Sequence, residues 1–79
     1  MSHLKWQMKN SILQPIVDGE LLPIKLDTQQ IAHARQAGTL TPFLKTSILK
    51  RIRRDLDNTP KLTPAQRSAI MLHFSDAIG

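Results

Sequence analysis

The sequence predicts a mainly α fold, a small three-helix domain preceded by a short N-terminal hairpin or extended arm. Three observations carry that reading. Thr41-Pro42 and Thr63-Pro64 are two helix starts, because threonine caps the first free N–H groups and proline suits the first helical position. Leu44, Ile48, Ile52 and Leu56 recur every four residues, the spacing of a helix flank. Asp18-Gly19 sits between two apolar runs, where glycine takes the positive φ of a tight hairpin turn.

The N-terminal part, residues 1–26, supports a hairpin or an extended arm. Pro15 and Pro23 each lack a ladder N–H, which argues against central strands. A helix over residues 3–14 that stops near Pro15 is the rival reading. The remainder, residues 27–79, reads as one three-helix unit in the same domain. Asp27 caps the first helix, with Gln30 three residues on; Ile31, Ala32, Ala34 and Ala37 supply its apolar face, and Gly38 ends it. The second helix runs over residues 42–57 and stops before Thr59-Pro60. The third opens with a Thr63/Gln66 capping box and carries Ile70, Met71, Phe74, Ala77 and Ile78 as its apolar stripe. Trp6, Phe43 and Phe74 are the aromatic residues, too few for a base-stacking platform for single strands, which needs several exposed rings, and Phe43 and Phe74 are expected in the core.

The totals limit the functions open to the chain. Its 79 residues suit one domain with a small core, which leaves little room for a deep catalytic cleft. A second copy would help complete such a core. With no cysteine, disulfides, thiolate nucleophiles and cysteine-based zinc sites are excluded. His3, His33 and His73 have no metal-site spacing, Ser47, Ser68 and Ser75 have no nucleophile-elbow context, and three glycines are too few for a phosphate loop. No enzyme, cofactor or metal is expected. No apolar run is long enough for a bilayer and the first residues lack a secretory core, so the expected location is the cytoplasm, away from membranes.

The formal net charge is +5 and the isoelectric point about 10.3. Lys5, Lys9, Lys25 and Arg35 are nearly balanced by Asp18, Glu20 and Asp27, whereas seven bases after residue 40 face only Asp55, Asp57 and Asp76. Lys45, Lys50, Arg51, Arg53 and Arg54 cluster on the second helix and are the expected nucleic-acid-binding residues, with Arg35 and Lys61 as outliers. Long cations on a rigid helix suit phosphate contacts. The competing reading is a solvated face whose cations complement the helix dipole. Residues 28–37, a short turn with Gly38, and residues 42–57 also fit a helix-turn-helix in outline. His33, Thr39 and Ser47 depart from it, since they fall where apolar residues are usual.

Arg53-Arg54-Asp55-Leu56-Asp57-Asn58 resembles the acidic signature of phage-type Holliday-junction resolvases. In that family two aspartates hold a divalent metal, a role the resemblance would give to Asp55 and Asp57. It covers six residues, and on a helix the two carboxylates point roughly 200° apart. Leu62-Thr63-Pro64-Ala65-Gln66-Arg67, with Ile70 and Leu72, is similar to the helix opening the last region of sigma factors. The DNA-reading helices of that family have no counterpart in this sequence. No family is recognised over the whole chain.

The leading functional reading is a small nucleic-acid-binding regulator of the kind made by phages, plasmids or other mobile elements. The alternative is a protein-interaction module: an inhibitor, adaptor or subunit, with Trp6 as an interface residue and an exposed apolar patch around Trp6 and residues 12–26. Trp6 is equally readable as a cover for the small core. A metal-dependent nuclease ranks last.

Overall fold

A computed structural model describes residues 3–79; Met1 and Ser2 of the expected arm lie outside the described residues. The fold is mixed α/β, which corrects the mainly α expectation. A four-stranded antiparallel sheet over Leu4–Asp27 precedes three helices. Strand β1 (Leu4–Lys9) pairs with β2 (Ile12–Val17), and β2 pairs on its other edge with β3 (Glu20–Leu21) and β4 (Leu26–Asp27). The N-terminal segment is thus neither a loose arm nor a helix over residues 3–14, but half of the framework.

Two tight turns build the sheet. Asn10 and Ser11 have φ of 52° and 64°, and Asp18 and Gly19 have 51° and 82°. Both pairs therefore have the two positive φ values of a type I′ turn, whose twist matches that of paired strands. The Asp18-Gly19 turn is where the sequence places it. Asp18 Oδ1 also accepts from the His3 N–H at 3.2 Å, and the Asp18 N–H donates to the His3 carbonyl at 3.0 Å. The longer β1–β2 hairpin was unexpected.

Pro15 stands in the central strand, against expectation, and the local geometry explains how. It opposes Trp6 in β1, and its carbonyl accepts from the Leu22 N–H at 3.0 Å on the far edge. Its ring nitrogen points toward that same edge, so the missing donor affects only the Leu22 carbonyl. The Gln14 side chain supplies the substitute: its amide donates to the Leu22 carbonyl at 3.1 Å. That bond accounts for the burial of Gln14, which with Gln66 is a buried polar residue among the described residues. Beyond Leu22, Pro23 breaks the strand, and pairing resumes at β4.

Three helices follow: α1 (Thr28–Gln36), α2 (Pro42–Asp57) and α3 (Pro64–Ile78). Asp27 ends β4 and also caps α1, accepting from the Gln29 and Gln30 N–H groups at 3.0 and 3.1 Å. Thr41 caps α2 through the Leu44 N–H, and Thr63 and Gln66 form both bonds of the expected capping box. Gly38, at φ 73°, follows α1 as predicted. Of the expected apolar face, Ile31 is buried and Ala34 half-buried, whereas Ala32 and Ala37, the latter just past the end of α1, are exposed.

One hydrophobic cluster joins the layers. Leu13, Val17, Leu22, Ile24 and Leu26 from the sheet side meet Ile31, Ile52, Leu56, Ile70, Phe74 and Ile78 from the helices. The α3 contribution recurs at every fourth residue, as its sequence stripe predicts. Phe74 is fully buried, but Phe43 is 84% exposed, which overturns its core assignment. The reason is helical phase: Phe43 lies nine residues before the buried Ile52, about two and a half turns, hence on the opposite side of α2.

Candidate nucleic-acid interface

Helix α2 buries Ile52 and Leu56 and half-buries Ile48 and Leu49. The remaining circumference is where its charges must lie. Phe43, Ser47, Lys50 and Arg54 fall within about 60° of one another around the axis, at helical spacings of four and three, and all four are exposed. They form the outer crest. Arg53 is exposed on the flank that faces α3. Lys45, nine residues from Arg54, sits on the opposite side and is half-buried.

The five expected binding residues are therefore not one ridge. Lys50, Arg53 and Arg54 stand together, while Lys45 is on the core side. Arg51 points to the flank beside α1 and β4 and is engaged there. Its guanidinium donates to the Lys25 carbonyl at 3.2 Å and lies 3.8 Å from the Asp55 carboxylate. Asp57 is engaged as well, 3.3 Å from Arg67, which also donates to the Leu56 carbonyl. Each carboxylate of α2 thus has its own arginine. Among the described residues, Lys50, Arg53 and Arg54 have no carboxylate within ion-pair distance.

Between α2 and α3 runs an open groove of about 700 Å³. Leu49, Leu56 and Met71 line it with apolar surface, Lys50 and Arg53 stand on its α2 side, and the paired Asp57 and Arg67 lie in it together. At the N-terminal end of α2 it adjoins a smaller concavity of about 350 Å³ beside Phe43, Thr46 and Ser47. Thr46 and Lys50 line both. Sequence reasoning missed Phe43 as an exposed residue, although its phase against Ile52 was readable.

Other candidates fall elsewhere. Arg35 donates to the Ile78 carbonyl, tying the end of α1 to the end of α3, away from the crest. Lys61 lies in the α2–α3 turn with φ 70°. Trp6 is half-buried. Its ring stacks on His73 at 3.9 Å and meets Phe74 edge-on at 5.0 Å. The expected apolar patch is largely consumed by folding, since Leu13, Val17, Leu22, Ile24 and Leu26 are buried; of that stretch Leu21 stays exposed, as does Met8 of β1.

In the helix-turn-helix frame, α1 and α2 face each other only across a hollow lined by Ile31, Ala34, Leu44 and Ile48. The closest helix pair is α2 with α3, and α1 leans on α3 and β2 instead of lying along α2. Asp55 and Asp57 diverge on α2 and pair with different arginines, so they do not converge on a metal position. Among the described residues, no group of three His, Asp or Glu side chains is arranged to hold a metal ion. No helix there is long and apolar enough to cross a membrane. No family model, curated protein or solved structure matches this chain, so the geometry of α2 and its surroundings is what bears on its role.

Proposed function

We propose that the protein binds nucleic acid through backbone phosphates, with Lys50, Arg53 and Arg54 of α2 as the contacting residues. The observation that carries this reading is the uneven pairing of α2 charges. Asp55 and Asp57 are matched by Arg51 and Arg67, which leaves three adjacent cations unmatched on a rigid support. Adjacent unpaired cations attract a polyanion because each phosphate they neutralise releases a condensed counterion. The role is that of a non-catalytic cytoplasmic regulator.

The test is the salt dependence of binding. With about three phosphates neutralised, log affinity for duplex DNA falls against log salt with a slope near −3. Replacing Lys50, Arg53 and Arg54 together by glutamine removes most of that slope. A slope near zero for the unaltered protein refutes the proposal.

A second reading, a protein-interaction module, is favoured by the outer edge of β1. Lys5, Gln7 and Lys9 direct their backbone groups toward β2, so those of Leu4, Trp6 and Met8 point away from it. Among the described residues nothing pairs with that edge. It can accept a further strand from a partner or from a second copy, with Lys5 and Lys9 as guards against indiscriminate pairing. Sedimentation across a concentration series separates self-pairing from a monomer, and introducing proline at Met8 abolishes any such pairing.

A further inference from the structure

We infer that the first two turns of α2 form a cradle for one unpaired nucleobase, with Phe43 as its stacking face and Lys50 on the adjoining phosphate. The inference deepens the nucleic-acid reading and rests on it. It specifies the ligand as a single strand.

The starting point is the cost of Phe43. An aromatic ring left in water forgoes the stabilisation that burial gives, and this chain has only three aromatic residues. Phe74 is fully buried and Trp6 is packed against α3, yet Phe43 is 84% exposed. Pro42 fixes its backbone at the start of the helix, behind a threonine cap, so the ring is held on a rigid mount.

The chemistry around the ring suits a base. Phe43 lines a concavity of about 350 Å³ with Pro42, Thr46, Ser47 and Lys50. The Thr46 and Ser47 hydroxyls make no side-chain hydrogen bond among the described residues, and each can donate or accept. They can meet the polar edge of any base without selecting strongly among them. No carboxylate lines this concavity. Lys50 places its charge on the same crest, about two turns along the helix.

The path beyond the cradle is consistent with a strand. Lys50 and Thr46 also line the groove between α2 and α3, where Arg53 and Arg67 follow. A chain entering at Phe43 would lay its next phosphates against Lys50 and Arg53, since Arg67 is held by Asp57 on the far side of the groove. A paired base has both faces covered by its neighbours and cannot present one to Phe43, so the ring selects unpaired nucleotides.

The experiment measures fluorescence anisotropy of a labelled mixed-sequence DNA strand of about 20 nucleotides, alone and annealed to its complement, over a salt series. The proteins are the unaltered chain, Phe43→Ala, Phe43→Tyr and the double variant Lys50→Gln/Arg54→Gln. The expected result is tighter binding of the single strand than of the duplex. Phe43→Ala weakens single-strand binding about 5- to 100-fold with its salt slope unchanged, and Phe43→Tyr stays within about threefold of the unaltered chain. The double variant loses affinity and slope on both ligands. If Phe43→Ala binds within about twofold of the unaltered chain, or the duplex is preferred, the cradle is overturned; a loss in the double variant then still supports phosphate contact. If the unaltered protein binds neither ligand at low salt, both readings fall.

Discussion

Gln14 donates its side-chain amide to the Leu22 carbonyl at 3.1 Å, filling the ladder position that the ring nitrogen of Pro15 leaves without a hydrogen. The two residues sit side by side in β2, so the sequence supplies a defect and its remedy together. Gln14→Leu leaves the buried carbonyl without a partner and lowers stability by about 1–3 kcal/mol in urea unfolding. Adding Pro15→Val to that variant restores a backbone donor and recovers part of the loss. Equal stability of the single and double variants would show that the amide is incidental.

Trp6 is a structural residue on this geometry. Its stack on His73 and edge contact with Phe74 fasten β1 to α3. Trp6→Ala removes a large half-buried side chain and costs about 2–4 kcal/mol, read from the urea midpoint. Affinity for nucleic acid, measured where the variant is still folded, is unchanged. A loss of affinity without a loss of stability would return Trp6 to the role of a partner-facing anchor.

Arginines three residues apart on α2 are expected to behave differently. Arg51→Gln breaks a half-exposed pair and one bond to the Lys25 carbonyl, so its stability effect is under about 1 kcal/mol and its salt slope is little changed. Arg54→Gln leaves stability unchanged and reduces the magnitude of the slope by about one. Anisotropy titrations of the two variants side by side give the comparison. Equal slopes in both would place the contacts off the crest.

Gly19 tests the tight turn. Its φ of 82° is strained for any residue with a Cβ, although a Cβ there would meet nothing within 4 Å. Gly19→Ala therefore costs about 1–2 kcal/mol through the backbone alone, and Gly19→Asn costs less because asparagine tolerates the left-handed region. Thermal unfolding by circular dichroism orders the three proteins.

Much of the helical half was legible because its signals are local. Asp27, Thr41 and Thr63 cap the helices they precede, and the apolar spacing of α2 and α3 matches the residues they bury. The sheet was under-read for two physical reasons. The Asn10-Ser11 turn contains no glycine, so its positive φ values have weak sequence markers. Pro15 looked like a strand breaker because the donor that compensates for it is a neighbouring side chain. The basic cluster was legible as composition but not as a surface. The Arg51–Asp55 pair has i,i+4 helix spacing and was open to sequence reading, but the bond from Arg51 to the Lys25 carbonyl depends on the tertiary fold.

The stack of Trp6 on His73 also bears on how the chain is made. Strand β1, which carries the indole, is made before α3, the helix that seats it, and two other helices are made between them. Throughout that interval the hairpins can close on themselves, since their partners are near in sequence, but their apolar side has only solvent to face. Until α3 has been made, the apolar side of the sheet is open to aggregation, and the docking of that helix on Trp6 is what closes it.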